Sequence, residues 1–250
     1  MLRVLDLLAQ HRCRVWLTLN IHDPLVMERL GEARAEGAHS VGFADVHVIR
    51  NPFPQGFGAN HNQAFACDQA HPHPSLYFAV LNPDLDWASN PWPDLLAVVA
   101  SERVGCVYPV QRAAGGHPQD HRRLLPTPGA LWRRYLRLPR PPECEHRAPD
   151  WVNAAMLLFP AAVYRELGGF DERYHMYCED VDLCLRLQLA GHRLVQVSTV
   201  HVTHEAQRAS HRQWRHFAWH VRSLMRLWWS QPYAQYRRRR EMGELPAPEK

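Results

Sequence analysis

The chain has 250 residues, of which 46% are hydrophobic and 22% charged, a composition typical of a packed globular protein of one large or two small domains and not of a disordered chain. Lys and Arg outnumber Asp and Glu by 29 to 25. This excess is compatible with phosphate-bearing small molecules or an anionic membrane surface, and it is too small to indicate nucleic acid by itself.

The cysteines and the N-terminus indicate a cytoplasmic protein. The six cysteines include no C-x-x-C pair, which disfavours a zinc knuckle, and we expect free thiols in a reducing compartment. The first ten residues are short for a signal peptide and contain Asp6. No apolar run approaches the roughly 18–20 residues that a membrane-spanning helix needs.

The first half of the chain alternates between helical and strand patterns, which predicts an α/β fold with a mostly parallel sheet flanked by helices. Successive predicted elements are a helix over Leu2–Ala9, a strand over Arg14–Leu19, a helix over Leu25–Glu36, a strand over Val46–Ile49, a Gly/Asn-rich loop over Asn51–Ala66 whose end starts a helix, and a strand over Ser75–Leu81.

The second half continues the alternation around a Pro-, Arg- and Gly-rich loop over Gln111–Pro149. The predicted elements are helices over Pro91–Ser101, Ala130–Leu136, Pro160–Leu167, Asp180–Ala190 and Gln213–Trp229, strands over Val104–Val110 and Arg193–Val202, and an apolar stretch over Trp151–Phe159. We divide the chain into a domain over residues 1–210 and a C-terminal amphipathic helix with a basic tail over residues 211–250.

Two carboxylates follow the strand that ends at Leu81, in the sequence NPDLD. Acids just past the carboxyl end of a buried strand point into the crevice where open α/β sheets bind ligands. Asp84 and Asp86 could hold a divalent cation, which in proteins is typically bound by one or two carboxylates and substrate phosphates. The alternative is an ordinary turn, since Asn, Pro and Asp favour turns.

His204 ends another predicted strand, in the sequence HVTH. A histidine at this position could complete a metal site. The alternative interpretation is a polar strand end in a chain that contains 17 histidines.

The Gly/Asn-rich loop contains the sequence PQGFGANHNQAF. Its backbone could approach a ligand closely, and the helix that follows could receive an anion at its N-terminus. The loop matches neither a P-loop nor a dinucleotide-binding fingerprint. The alternative is a plain loop-to-helix junction.

The densest acidic cluster, Glu179, Asp180 and Asp182, opens the helix predicted over Asp180–Ala190. Acids in the first helical turn complement the helix dipole and cap free amides, which contributes about 0.3–1 kcal/mol each. Capping accounts for one or two of these acids, and Asp182 is assigned to this role.

Three segments together resemble a known family. LNPD, GGFDERYHMYCEDVDLCLRLQLAGHRLV and VHVTHEAQRAS occur in the order found in inverting family-2 glycosyltransferases, within which the chain is most similar to rhamnosyltransferase-type enzymes of bacterial surface polysaccharide synthesis. The resemblance covers roughly Leu5 to Ser210. It implies a GT-A fold, a nucleotide-sugar donor linked to dTDP or UDP, a glycan or lipid-linked acceptor, and Mg²⁺ or Mn²⁺.

The resemblance also implies roles for individual residues. Asp84, Asp86 and His204 are the expected metal ligands. Asp180 stands at the position of the general base, with Glu179 beside it as a catalytic and acceptor-binding residue. Trp151 is the other expected acceptor-binding residue. The expected nucleotide-sugar-binding residues are Asn20, Gly56, Phe57, Asn62, Asn82 and Asp84.

The chain departs from the family pattern on the nucleotide side. It begins after the position of the family's first strand, Leu19 stands where the family has an acid that binds the nucleotide base, and Pro54 replaces the first Asn of the loop motif. Ala154 replaces the Gly of the W-x-x-G-A motif. These departures keep a second hypothesis open, namely a catalytically inactive glycosyltransferase-like protein that binds a partner.

The C-terminal helix carries aromatic and apolar residues at helical spacing, with arginines between them, and Arg237–Arg240 follow it. One interpretation is peripheral contact with the inner face of an anionic cytoplasmic membrane. The alternative is a helix that packs on the domain and has a solvated basic end. A nucleic-acid partner is not expected, because no nucleic-acid-binding motif accompanies the arginines.

Overall fold

The computed structural model describes residues 2–21, 23–28, 45–113, 115–136, 148–204 and 214–245. A five-stranded sheet has the strand order β3-β8-β5-β9-β4, and two strand pairs, β1-β2 and β6-β7, lie apart from it. The strands are β1 Arg14–Leu19, β2 Asp45–Arg50, β3 Tyr77–Leu81, β4 Leu85–Asp86, β5 Val104–Arg112, β6 Arg122–Arg123, β7 Trp151–Val152, β8 Met156–Pro160 and β9 Arg193–His204.

The predicted α/β class is confirmed, but the expected mostly parallel sheet is instead a mixed one. Strand β8 runs antiparallel to both of its neighbours, β3 and β5, and β4 runs antiparallel to β9. The pairs β5-β9 and β1-β2 are parallel. The prediction assumed a helical crossover before every strand, whereas the chain reaches β8 through the long segment after β5 and enters the sheet from the opposite end. Strands β3, β5 and β9 still share one direction.

The helices lie close to their predicted positions, with the helix after β2 beginning as early as Phe57. Their bounds are α1 Leu2–Leu8, α2 Phe57–Gln69, α3 Trp92–Val99, α4 Pro128–Tyr135, α5 Ala161–Glu166, α6 Glu179–Leu189, α7 Trp214–Trp228 and α8 Gln231–Met242. Residues 24–28 are helical, and the remainder of the helix predicted over Leu25–Glu36 lies outside the described residues. The short strands β4 and β6 and the whole of α8 were not predicted.

The sheet has an apolar core on each face, as the alternation of side chains along a strand requires. In β8, Leu157 and Phe159 belong to the core shared with α2, α6 and the C-terminal helices. Met156 and Leu158 point to the other face and pack with residues of α1 and α3. Strand β8 is buried on both sides, which explains its continuous apolar sequence.

The C-terminal helix α8 is tied to the rest of the structure through Asp150. The Tyr236 hydroxyl donates to Asp150 Oδ1 over 3.0 Å, and the Arg240 guanidinium lies 2.6 Å from Oδ2 of the same buried carboxylate. Arg239 donates to the Leu189 carbonyl, and Arg237 pairs with Glu241. Three members of the basic run Arg237–Arg240 therefore have protein partners. The division at residue 210 stays a prediction.

In the parts of the chain that the structure describes, no helix has both the length and the apolar character needed to cross a bilayer. The described cysteines are all free thiols, as expected: Cys13, Cys67, Cys106, Cys178 and Cys184.

A buried carboxylate joins the β1-β2 pair to α2. Asp68 accepts hydrogen bonds from Arg14 (2.8 Å), from the Trp16 indole (3.3 Å), and from both the amide and the hydroxyl of Ser75 (2.9 Å each). Burial by itself raises the pKa of Asp68, but the hydrogen bonds from Ser75, Arg14 and Trp16 outweigh it and leave the pKa below its ordinary value.

We expect Asp68→Ala to lower the free energy of unfolding by about 3 kcal/mol, because the largely buried Arg14 guanidinium loses its nearer carboxylate. Among the described residues, only the His73 carbonyl and Asp45, at 3.6 Å, remain as its partners. Since the folded pKa is lowered, the contribution of Asp68 is fully present above the ordinary aspartate range and is lost as the pH falls through the folded pKa. Urea unfolding at several pH values measures both effects. Glu102→Ala, at an exposed acid, is the matched control. An unchanged unfolding midpoint in Asp68→Ala would contradict the assignment.

Candidate active site

The shared direction of β3, β5 and β9 brings their carboxyl ends to one edge of the sheet. Asp84 follows β3, and His204 is the last residue of β9. The short strand β4 pairs Leu85 with His204, which places the histidine directly beside the turn that carries Asp84. This edge holds two of the three predicted metal ligands.

Asp84 and His204 face each other. His204 Nε2 lies 3.3 Å from Asp84 Oδ1 and 3.3 Å from the side-chain amide nitrogen of Asn82. Asp84 Oδ1 is buried and accepts no hydrogen bond from any described residue. The nucleotide-side residue Asn82 thus contacts the histidine, and the aspartate retains an unused acceptor.

Gln119, which the sequence did not single out, sets the tautomer of His204. Its amide nitrogen donates to the His204 carbonyl over 2.6 Å, so its oxygen must be the atom that lies 3.2 Å from His204 Nδ1. A carbonyl oxygen only accepts, and Nδ1 therefore carries the proton. In the neutral ring, Nε2 then presents a lone pair on the side of Asp84.

This donor set fits a divalent cation. Two acceptor atoms, a carboxylate oxygen and an imidazole nitrogen, approach each other to 3.3 Å, close to the spacing of about 3 Å between adjacent ligands around an octahedral cation with bonds of about 2.1 Å. A metal-binding histidine usually donates its other N–H to an oriented acceptor, as His204 does to Gln119. Two protein ligands suit a cation that also binds substrate phosphates.

The predicted third ligand, Asp86, is not part of this group. The Arg3 guanidinium of α1 binds both of its oxygens, at 2.8 and 2.5 Å. Within the described residues, no three His, Cys, Asp or Glu side chains form a metal-binding group. In the structure Asp84 and His204 face each other, while β4 directs the Asp86 carboxylate to α1. Asp86 as a metal ligand stays a prediction.

Glu179 and Asp180 begin α6 and share a poorly hydrated site. Glu179 is buried, and no described group hydrogen-bonds to its Oε2. Burial raises its pKa, and repulsion from the charge of Asp180 raises it further. Burial also raises the pKa of Asp180, although the Val181 amide and the Arg123 charge oppose the shift. Asp180 is half-buried, so its carboxylate remains within reach of a substrate.

Asp182 has a different role from its two neighbours. Its Oδ2 accepts from Arg186 Nε over 2.7 Å, one helical turn along α6. The same guanidinium donates to the carbonyls of Leu167 and Gly169. Asp182 therefore orients an arginine that caps the end of α5 and holds the following Gly turn. Asp182 lies in the first turn of α6, as predicted, but its carboxylate pairs with Arg186 and not with a free amide.

The two halves of the site meet at Ala154–Ala155. The Asn82 amide donates to the Ala155 carbonyl over 2.8 Å, and the Ala154 amide hydrogen-bonds to the carboxylate of Asp180. The turn that carries Asp84 is thus held to the backbone of Ala155, and the start of α6 is held to the backbone of the neighbouring residue, Ala154.

Trp151 lies in the wall of the site. Its side chain is buried, its indole N–H donates to the Leu124 carbonyl over 2.9 Å, and the Arg123 guanidinium lies 5.1 Å from its ring centroid. The sequence had placed Trp151 among the acceptor-binding residues. In the structure the indole N–H is occupied by the protein, and Arg123, which contacts the Trp151 ring, also acts electrostatically on Asp180.

The Gly-rich loop approaches protein backbone closely. A Cβ on Gly56 would lie 2.6 Å from the His175 carbonyl oxygen, which accepts the Phe57 amide. The Phe57 ring packs edge-on against Phe170, 5.7 Å between centroids. These two predicted nucleotide-sugar ligands thus seat the loop on the segment that leads to Glu179.

Asn62 uses its whole side chain within the protein. Its oxygen accepts from the Phe170 amide and the Tyr164 hydroxyl, and its nitrogen donates to the Phe170 carbonyl and Glu172. A side-chain amide offers two donors and two lone pairs, so no capacity is left for a ligand. Asn62 therefore clamps the segment around Phe170.

Asn20 closes the loop after β2. Its side chain exchanges two hydrogen bonds with the Gln55 backbone, at 3.0 and 3.1 Å, and accepts a third from Asn51. The carboxyl ends of β1 and β2 are therefore joined by an amide network. The structure places Asn20 on the predicted nucleotide side but commits its side chain to this network.

The segment His175–Tyr177, which we call the strap, enters α6 through strained backbone. Tyr177 and Cys178 both adopt left-handed conformations, with φ of 70° and 66°, at a cost of about 1–3 kcal/mol each for non-glycine residues. Helix α7 holds the strap: Ser223 donates to the Met176 carbonyl over 2.8 Å. The α7 side chains of His216 and Trp219 contact Tyr177 and His175.

Comparison with known proteins gives consistent relatives. No protein-family model matches the sequence. Rhamnosyltransferase WbbL of Escherichia coli K12 is 30% identical over 183 residues, which is 68% of this chain and 69% of the relative. The N-acetylglucosaminyl-diphospho-decaprenol L-rhamnosyltransferase of Mycobacterium tuberculosis is 29% identical over 219 residues, 76% of this chain and 71% of the relative.

A solved structure shares the fold. The crystal structure of GalNAc-T7 with UDP, GalNAc and Mn²⁺ superposes with a TM-score of 0.54 at 17% identity. The match covers 77% of this chain and 37% of the other.

We expect Glu179→Gln to flatten the pH dependence of stability. The folded protein holds the Glu179 proton more tightly than the unfolded chain, so the free energy of unfolding falls as the pH rises from the ordinary glutamate range through the raised folded pKa. The neutral amide removes this part of the decline. Urea unfolding between pH 5 and 9 measures it, with Glu102→Gln at an exposed site as control. Parallel curves for Glu179→Gln and the wild type would show that Glu179 is not held protonated.

Proposed function

This chain belongs to the family-2 glycosyltransferases of GT-A fold, and we propose that it transfers a hexosyl or rhamnosyl group with inversion from a dTDP- or UDP-linked donor. The acceptor is a glycan or lipid-linked sugar of the bacterial cell envelope. The name of the mycobacterial relative contains such a lipid, a diphospho-decaprenol, which supports an acceptor of this class.

One observation carries the proposal, namely the placement of the Asp84–His204 pair and of Asp180 on either side of Ala154–Ala155. Transfer from a sugar diphosphate requires charge stabilisation at the leaving diphosphate and proton removal at the incoming hydroxyl. The site offers two cation ligands for the first task and a carboxylate with a raised pKa for the second.

On the donor side, Asp84 Oδ1 and His204 Nε2 would hold Mg²⁺ or Mn²⁺, and a bound cation supplies positive charge against the diphosphate oxygens. The GalNAc-T7 structure contains UDP and Mn²⁺, which supports a nucleotide-linked donor and a divalent cation as the bound groups. Gln119 fixes the His204 proton on Nδ1. The Nε2 lone pair faces the side-chain amide nitrogen of Asn82 at 3.3 Å, and a cation would take the place of that contact.

On the acceptor side, Asp180 accepts the proton of the attacking hydroxyl as the new glycosidic bond forms on the face opposite the leaving diphosphate. A base is most effective when its pKa lies near the working pH, and burial moves Asp180 in that direction. The pKa of Glu179 is raised by its burial and by the neighbouring charge, so a proton on Glu179 would leave Asp180 as the charged member of the adjacent pair. Arg123 stabilises that charge.

A second candidate, an inactive glycosyltransferase-like binding protein, is favoured by the nucleotide side of the site. The side chains of Asn20 and Asn62 are committed to protein hydrogen bonds, and Leu19 stands where the family has an acid. Calorimetry with UDP- and dTDP-sugars in the presence of Mn²⁺ separates the two functions, because an inactive relative of this kind gives no heat with any donor.

We expect Asp180→Asn to reduce kcat about 10²–10⁴-fold, the range for loss of a general base, while donor affinity changes little. Asparagine has the size of aspartate, so the start of α6 keeps its shape. The wild-type rate should rise with pH as the pair loses its proton, with a midpoint above the ordinary carboxyl range. Transfer assays and donor titrations measure these effects.

Asp94→Asn, at an exposed acid on α3, is the control and should keep full activity. If Asp180→Asn transferred sugar at the wild-type rate, Asp180 would not be the base.

We expect Gln119→Leu to weaken Mn²⁺ binding about 10–100-fold, the usual effect of removing the hydrogen-bond partner of a metal-binding histidine. Without the Gln119 oxygen, the Nδ1 proton of His204 is no longer fixed and Nε2 loses its oriented lone pair. Mn²⁺ titration in the presence of UDP measures the affinity. Gln63→Leu, at an exposed position of α2, is the matched control, and equal Mn²⁺ affinity in both variants would refute this role of Gln119.

A further inference from the structure

Helix α7 turns an apolar side away from the protein. Trp214 and Phe217 are 86% and 62% exposed, and Val221 and Met225 are exposed as well. These four residues follow one another at intervals of three, four and four positions, which places them along one side of the helix. We call this side the outer stripe. Isolated exposed apolar residues are ordinary on protein surfaces, whereas a contiguous aromatic stripe marks an interaction surface.

The opposite side of α7 supplies the contacts that hold the helix in place. Ser223 and Leu227 are buried there. Near the C-terminal end of α7, next to the stripe, Leu224 is buried as well, and the Trp228 indole donates to the Pro126 carbonyl over 2.6 Å. The packing of α7 on the domain therefore uses residues other than the outer stripe. The described part of the chain leaves the stripe in solvent.

A basic row runs along one edge of the outer stripe. Arg222 and Arg226 each follow a stripe residue by one position, which displaces them by about 100° around the helix. The helix, Trp214–Trp228, contains no acidic residue. Apolar and cationic groups are therefore presented together in the C-terminal half of α7.

We propose that the outer stripe of α7 docks the protein on an anionic lipid bilayer. Aromatic side chains suit the boundary between headgroups and acyl chains, and arginines at the same level attract anionic headgroups. The charge pattern favours this occupant over a second copy of the chain, because a twofold interface would bring two basic rows together with no acid on either helix to pair with them.

The inner side of α7 connects this surface to the site. Ser223, His216 and Trp219 hold the strap that leads into Glu179 and Asp180. Docking through the outer stripe therefore brings the acceptor side of the site to the bilayer surface. This last step rests on the proposed function and fits a lipid-linked acceptor, while the docking surface itself stands on the geometry of α7 alone.

The test is co-sedimentation of the full chain with vesicles of phosphatidylglycerol and phosphatidylcholine, compared with phosphatidylcholine alone. We expect binding to the anionic vesicles and at least tenfold weaker binding by the double variant Trp214→Ser/Phe217→Ser. Leu76→Ser, which changes an apolar residue 80% exposed on another surface, should bind as the wild type does. Arg222→Gln/Arg226→Gln should lose the preference for phosphatidylglycerol. Circular dichroism checks that each variant is folded.

Two results would overturn the proposal. One is a wild type that fails to sediment with anionic vesicles or a double variant that sediments equally well. The other is a wild-type dimer in solution that the double variant dissociates without any lipid binding, which would make the stripe a contact between copies. Donor titration with Mn²⁺ is measured separately: vesicle binding without donor binding would defeat the proposed function and leave the docking surface intact.

Discussion

The hydrogen bond from the backbone amide of Asn82 to the Ala155 carbonyl is the contact on which the site depends. It joins the turn after β3 to the segment that enters β8, and the backbone amide of the preceding residue, Ala154, contacts Asp180. Because β8 runs antiparallel to β3, its first residues lie at the carboxyl end of β3. Strand β8 therefore begins at the edge of the sheet where Asp84 and His204 lie, and the backbone groups before it can hydrogen-bond there. A fully parallel sheet would have placed the start of this strand at the far end.

The sequence predicted the chemistry of this edge better than the roles of the side chains around it. NPD, ED and the terminal histidine of β9 were recognisable because they combine reactive groups with strand and helix ends. The roles of Asn62 and Gly56 were not predictable from the sequence. The side chain of Asn62 is saturated by hydrogen bonds around Phe170, and Gly56 lies against the backbone of His175, in both cases more than 100 positions away. Asp86 looked equivalent to Asp84 in sequence, and only the position of Arg3 separates them. Gln119 carried no local signal, because its partner His204 is 85 residues distant.

The C-terminal helices also have features that the sequence alone could not predict. The period of apolar residues predicted α7, but that period cannot tell which of its two apolar sides packs on the domain. Helix α8 was hidden because four consecutive arginines obscure any amphipathic pattern. Tertiary partners resolve both: Asp150 and Glu241 neutralise two of the arginines, and the strap selects the inner side of α7. Burial of a few residues, Ser223, Leu224 and Leu227, decides which side of α7 remains outside.

The strap connects α7 to the acidic pair Glu179 and Asp180 at the start of α6. Two consecutive left-handed residues before α6 are costly, and a strained segment persists only where its surroundings hold it in place. Helix α7 holds it from one side and the Phe57 amide, through the His175 carbonyl, from the other. At the end of this segment Glu179 is buried and Asp180 half-buried, although the two are adjacent in sequence. Burial raises the pKa of both carboxyls, but at Asp180 the Val181 and Ala154 amides and the Arg123 charge oppose the shift. The pKa of Glu179 is therefore raised further, to about 8, than that of Asp180, about 6.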